Sequence, residues 1–111
     1  MKVAVVGSRN LEVENLGEYL PEGVREIVSG GAKGVDACAK RYAKTRGIAY
    51  REFLPEYARY KRGAPLKRNL QIVEYADMVI AFWDGESKGT AYTVECCRKL
   101  GKAVQVDLLK K

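Results

Sequence analysis

The feature that most constrains this chain is a regular switch between short apolar runs and amphipathic stretches. Val3 to Val6 is continuously apolar, as in a strand covered on both faces. Asp77 to Trp83 is nearly so after its first residue. Glu26–Ser29, Ile48–Leu54 and Ala103–Val106 read as three further strands, Ile48–Leu54 with the partial alternation of a sheet edge. The stretches between carry helical signals. Leu11–Leu20 reads as a short helix stopped by Pro21. Lys33–Arg46 places Val35, Ala39, Tyr42, Ala43 and Arg46 on one side, with Gly47 suited to end it. Pro65–Ala76 opens on a proline suited to the first helical position, and Leu66, Leu70, Val73 and Ala76 form its apolar stripe. Thr90–Leu100 is a fourth helix, closed by Gly101. Pro55–Ala64 is irregular, and Leu108–Lys111 is a tail. Five strands alternating with four helices call for an α/β fold, a parallel sheet with helices on both faces. The 111 residues suit one domain, 1–111, able to bury a core without a metal or disulfide framework.

Composition removes several chemistries. The chain has no histidine, which excludes Ser-His-Asp and Cys-His catalysis and the common zinc sites. A general acid or base must therefore be Asp, Glu, Lys, Tyr or Cys. Cys38, Cys96 and Cys97 are odd in number and two are adjacent, so they read as small hydrophobes rather than metal ligands. Neither a metal nor a cofactor is expected. No apolar run approaches the ~20 residues of a membrane span. The apolar stretch at the N-terminus is too short for a signal peptide. A cytoplasmic protein with no membrane partner is expected.

The net charge of +6 is unevenly placed. Residues 1–32 hold three basic and five acidic groups, residues 33–68 eleven basic and three acidic, and residues 69–111 six of each. The middle third suits a phosphate-bearing partner, either a small ligand or a nucleic acid. A solvated helix face with a basic loop would give the same count.

Ligands of open parallel sheets bind beyond the carboxyl ends of the strands, near the point where strand order reverses. Gly7-Ser8-Arg9 ends the first strand, and Arg9 suits bidentate pairing with a phosphate. Ser29-Gly30-Gly31-Ala32-Lys33-Gly34-Val35-Asp36 joins a strand to a helix. Its glycines permit tight turns and close backbone approach, and the helix N-terminus offers N–H groups to an anion. It is neither a GxGxxG fingerprint nor a Walker A sequence. Asp36 either bonds neighbouring backbone or accepts hydrogen bonds from a ribose or base. Asp84 to Thr90, with Ser87, Gly89 and Thr90, again puts small residues and hydroxyls at a helix start, where Ser87 or Thr90 serves as N-cap. Arg68 and Asn69 open the third helix. Arg68 is either a phosphate ligand or a solvated residue; Asn69 bonds either a ligand or the Gly30–Gly31 backbone. Tyr57-Ala58-Arg59-Tyr60-Lys61-Arg62-Gly63 interleaves aromatic and basic residues. It suits a single-strand contact, a lid over a base, or an ordinary surface loop.

These motifs also carry a resemblance. Ile27 to Asp36 is similar to the SG-x-A-[RK]-G-[IV]-D motif of the DNA-processing protein DprA. Arg68-Asn69 is similar to the RN pair opening that family's next helix, and Ser87-Lys88-Gly89-Thr90 to its small-residue turn. Over residues 2 to 106 the chain resembles the SLOG (DprA/Smf–LOG) superfamily, above all its small YspA-type branch. The resemblance implies a Rossmann-like three-layer sandwich with strand order 3-2-1-4-5, a nucleotide-derived ligand, and pairing of two copies through helices. Tyr92 and Cys96 on the last helix are candidates for such a homodimer contact. The LOG phosphoribohydrolases carry PGG-x-GT-x-x-E with a catalytic glutamate just after the GT. Here the PGG element is missing, and Glu95 falls on the solvent side of its helix. DprA is longer and has further domains, so its DNA role does not simply transfer. Binding or sensing of a nucleotide-like phosphorylated small molecule is the leading expectation. Hydrolysis of a nucleotide N-glycosidic or phosphate bond, and single-stranded nucleic-acid binding, are the alternatives. Asp36, Asp84, Glu86 and Glu95 are the carboxylates near the expected pocket, and none has a clear partner.

Overall fold

Residues 1–109 are described by a computed structural model of the protein. Strands β1 (Lys2–Gly7), β2 (Glu26–Ser29), β3 (Ala49–Glu52), β4 (Met78–Trp83) and β5 (Ala103–Leu108) form one parallel sheet in the order β3-β2-β1-β4-β5. The helices are α1 (Val35–Arg46), α2 (Tyr57–Tyr60), α3 (Ala64–Tyr75) and α4 (Lys88–Lys99). This is a Rossmann-like α/β arrangement. The chain builds outward from β1 through β2 to β3, crosses back through α3, and continues outward through β4 to β5.

The continuous apolar runs are the central strands, and the strand period of two divides their side chains between two cores. Val3, Val5, Ile27, Ile80 and Phe82 point to the face covered by Val35, Ala39 and Ala43 of α1. Ala4, Val6, Val28, Val79 and Ala81 point to the face covered by Ile72 and Val73 of α3 and Val94 and Cys97 of α4. Short β2 limits β3. Only Glu26–Ser29 is available to pair, so the ladder covers Ala49–Glu52 rather than the expected Ile48–Leu54.

The expected helix Leu11–Leu20 does not form. Leu11 and Val13 are buried with exposed Glu12 between them, an extended alternation, and a single 3-10 turn follows at Leu16–Glu18. The Tyr42 hydroxyl of α1 would lie 2.7 Å from a Cβ at Gly17, so the segment is moulded onto α1 at its glycine. Leu11, Val13 and Leu16 cover the sheet in place of a helix. Helical structure appears instead within the stretch read as irregular, as α2 and a 3-10 turn at Lys61–Gly63. The stripe of α3 is also rotated from expectation. Ile72 and Val73 are buried, Arg68 is 8% exposed and Leu66 is 42% exposed. The buried face runs through Ala64, Arg68 and Ile72 at helical spacing, which turns Leu66 outward. Leu108 belongs to β5 rather than to a tail, and Lys110 and Lys111 lie outside the described residues. No helix among the described residues is long and apolar enough to cross a membrane.

If Leu11–Leu20 is core rather than decoration, Leu16→Ala should cost about 2–5 kcal/mol in urea unfolding, as for other buried leucines. A change within about 0.5 kcal/mol, the range of surface substitutions, would show that the segment is not part of the cooperative fold.

Candidate functional site

A cleft of about 380 Å³ opens at the carboxyl ends of β1 and β4, between the N-termini of α3 and α4. Strand order reverses between these two strands, so this is the topological switch point of the sheet. Of the residues singled out in the sequence, Gly7, Ser8, Arg9, Asp36, Arg68, Asn69, Asp84, Ser87, Gly89 and Thr90 line it. Asn10, Ala32, Pro65 and Leu66 also line it and were not singled out. Asn10 extends the Gly7–Arg9 turn, and Pro65 and Leu66 precede Arg68 by less than one helical turn; proximity along the chain was the available signal.

Ser29, Gly30, Gly31 and Gly34 are not among the lining residues. Ser29, Gly30 and Gly34 each have a visible packing task. The Ser29 hydroxyl donates to the Val5 carbonyl at 2.8 Å, tying β2 to β1. A Cβ on Gly30 would lie 2.6 Å from Arg68 Nη1 and 3.0 Å from Asp36 Oδ2, so only hydrogen fits between guanidinium and carboxylate. Gly34 has φ +74° and presses against the backbone of Arg9 and Leu11, a conformation and a contact that both require glycine. Ser29, Gly30 and Gly34 thus support the cleft, and Ala32 of the same segment reaches its lining.

Arg68 holds this frame. Its Nη1 donates to the Gly30 carbonyl at 2.5 Å and the Phe53 carbonyl at 3.4 Å, and its Nε to Asn69 Oδ1 at 2.8 Å. The solvated alternative for Arg68 does not apply. The bond to the Gly30 backbone, one of the two alternatives for Asn69, is made by Arg68. Burial pulls the Arg68 pKa down, while the Asp36 charge supports the guanidinium. Asp36 is 6% exposed and accepts from the Ala32 N–H at 3.1 Å. Burial raises its pKa above the ordinary carboxylate range, against the opposing pull of the Ala32 N–H and Arg68.

The opposite wall is the turn between β4 and α4. Asp84 Oδ1 accepts from the N–H groups of Ser87 at 2.8 Å and Glu86 at 2.9 Å, and these bonds hold its carboxyl below the usual range. Trp83 Nε1 donates to the Ser87 carbonyl at 2.9 Å, which fixes the same turn. Ser87 occupies the N-cap position of α4, yet its side chain does not cap the helix. The first intrahelical bond runs from the Ala91 N–H to the Ser87 carbonyl. The amides of the first turn, which include Gly89 and Thr90 of the lining, keep their capacity for an outside acceptor. Glu95 is exposed and does not line the cleft.

Ser8 completes the geometry. It is 1% exposed, it lines the cleft, and its N–H donates to the Phe82 carbonyl at 3.1 Å. Its hydroxyl is the one buried side-chain oxygen or nitrogen among the described residues with no partner at full hydrogen-bond geometry, and it lies near enough to the Asp84 carboxyl to help hold that group's pKa down.

The first half of this site coincides with a family signature. A model of the YspA, cpYpsA-related SLOG family matches residues 1–60. The chain belongs to this family. No curated protein and no solved structure matches the sequence. The SLOG match spans Gly7–Arg9 and the whole Ser29–Asp36 frame. The two helix N-termini that close the cleft lie beyond it.

Two outcomes test this frame. Arg68→Ala should lower stability by about 1.5–3 kcal/mol, the value of hydrogen bonds to a charged group. Arg68→Lys should not restore it, because an ammonium lacks the planar fork. Unfolding of either variant like the wild type would remove the brace. The second outcome concerns Asp36. Its raised pKa means the folded state holds the proton more tightly than the unfolded chain. Its contribution is therefore complete below the ordinary Asp value of about 3.9 and is lost as pH rises through the folded pKa. The stability of wild type relative to Asp36→Asn should fall across that window in denaturant titrations. A flat or rising difference would contradict the burial assigned to this carboxyl.

Proposed function

We propose that this protein binds a phosphate-bearing, nucleotide-like small molecule in the β1–β4 cleft, as a sensing or processing domain. The observation that carries the reading is the Ser8 hydroxyl, buried without a partner in a cleft lined by the uncapped N-terminus of α4. A buried hydroxyl with no hydrogen bond costs about 1–3 kcal/mol. A ligand oxygen accepting from it would recover that cost. Amides at the start of a helix carry partial positive charge and are a ready-made anion site. Exposed Arg9 supplies the mobile cation beside them.

The rest of the lining suits the sugar side of such a ligand. Asp36 is a hydrogen-bond acceptor for a ribose hydroxyl, and Asn69 offers an amide whose oxygen is already committed to Arg68. Membership of a SLOG family supports a nucleotide-related ligand. The cavity volume lies at the lower end of the roughly 300–1,000 Å³ of small-molecule pockets, which suits one nucleotide better than a dinucleotide.

The test is calorimetric titration with orthophosphate and with nucleoside monophosphates, on wild type and Ser8→Ala. The variant should bind about 10- to 150-fold more weakly, as expected for one charge-assisted hydrogen bond. Without ligand it should melt at the wild-type temperature or above, because the unsatisfied hydroxyl is gone. Wild-type affinity in Ser8→Ala, or no phosphate binding by the wild type at millimolar concentration, would defeat the proposal.

A further inference from the structure

The segment between β3 and α3 carries charge that the cleft does not use. Arg59, Lys61 and Arg62 are exposed, and no residue of α2 or of the following 3-10 turn is buried. Among the described residues, none of these cations forms an ion pair with a carboxylate. Arg59 and Lys67 lie over the Tyr60 ring, at 5.1 and 5.6 Å from its centroid. Tyr57 and Leu54 are each 57% exposed. Lys61 has φ +53° and is the one non-glycine residue in the left-handed region among those described.

This surface runs into the cleft. The Tyr57 hydroxyl lies near the Arg68 guanidinium. The α2 segment and its turn lead directly into α3, whose Pro65 and Leu66 line the cleft mouth. Unpaired cations beside exposed aromatic and apolar side chains are the elements that hold single strands, the cations tracking phosphates and the flat faces stacking on bases. A duplex would leave no base face free for Tyr57.

We propose that the cleft receives the phosphorylated terminal nucleotide of a single-stranded nucleic acid, whose following nucleotides run over α2 and the Lys61–Gly63 turn. The proposal rests on the reading of the cleft as a phosphate site and extends it from a free nucleotide to a strand end. A cavity of about 380 Å³ holds one nucleotide, so the strand leaves through the mouth at the start of α3. The unpaired cations begin there.

Fluorescence anisotropy on the full chain tests this with oligo-dT of about eight nucleotides, enough to cross a small binding surface. The strand is used 5′-phosphorylated, 3′-phosphorylated, unphosphorylated and as a duplex with oligo-dA. Thymidine monophosphate is titrated in parallel by calorimetry. One phosphorylated single strand should bind at least about tenfold tighter than thymidine monophosphate, as expected from a single added stacked base. It should also exceed the unphosphorylated strand and the duplex. The triple variant Arg59→Gln, Lys61→Gln, Arg62→Gln should lose that gain and keep thymidine monophosphate binding within twofold. Its plot of log affinity against log salt should be shallower by about 2, from three lost contacts at about 0.7 each. If thymidine monophosphate binds but no strand binds more tightly, the strand proposal fails and the cleft reading stands. It fails likewise if phosphorylated and unphosphorylated strands bind equally, or if the triple variant binds strands as the wild type does. If neither orthophosphate nor thymidine monophosphate binds, both readings fall.

Discussion

The bond from the Arg68 guanidinium to the Gly30 carbonyl joins residues 38 apart in sequence. It ties the end of β2 to the first turns of α3, and so links the half of the sheet built outward from β1 to the helix that brings the chain back. Everything that bounds the cleft on this side follows from it. Gly30 must lack a side chain because the guanidinium lies against it, and Asp36 must be close because a buried arginine needs a countercharge. Asn69 then turns its amide oxygen to the same group. Burial drives the arginine and the aspartate in opposite directions, toward neutrality in each case, and each is opposed by the other's charge. For both groups burial outweighs the other's charge, so each charge offsets only part of its neighbour's desolvation.

Within the glycine-rich segment Ser29 bonds the neighbouring strand, Gly30 admits the arginine, and Gly34 lets the chain pass behind Arg9 and Leu11. The surfaces with unspent hydrogen-bonding capacity are the Ser8 hydroxyl and the first turn of α4. Asp84 sits beside them but is occupied with the Glu86 and Ser87 amides, which position the helix start and leave its own first-turn amides open.

The elements legible in the sequence were those with strong periodicity. Val3–Val6 and the run ending at Trp83 became the two central strands, because a run apolar on both faces can be satisfied only inside a sandwich. The helices α1, α3 and α4 fell close to their expected spans for the same reason. Leu11–Leu20 misled because its leucines suit a helix as well as a docked loop. Gly17 lowers the helical preference, and the Tyr42 hydroxyl, distant in sequence, fills the space beside it. The rotation of the α3 stripe was hidden because an arginine does not read as part of a buried face, yet Arg68 lies on it between Ala64 and Ile72. Many of the cleft residues were recognisable as small or polar groups at strand ends and helix starts. Their contacts were not: that Arg68 bonds the Gly30 carbonyl, and that Ser8 rather than Ser29 holds the unpartnered hydroxyl, depends on groups distant in sequence.

Local sequence by itself determined the fold class, the alternation of strands and helices, the absence of histidine chemistry, and the placement of cations in the middle third. These depend on periodicity and composition, which are properties of neighbouring residues. Only the tertiary structure decided which strand ends meet, that Arg68 of α3 reaches Gly30 just after β2, and that the Ser8 hydroxyl is buried without a partner while the Ser29 hydroxyl is satisfied. Hydrogen-bond satisfaction and burial are set by groups brought together from distant parts of the chain, and no local pattern records which of them arrive.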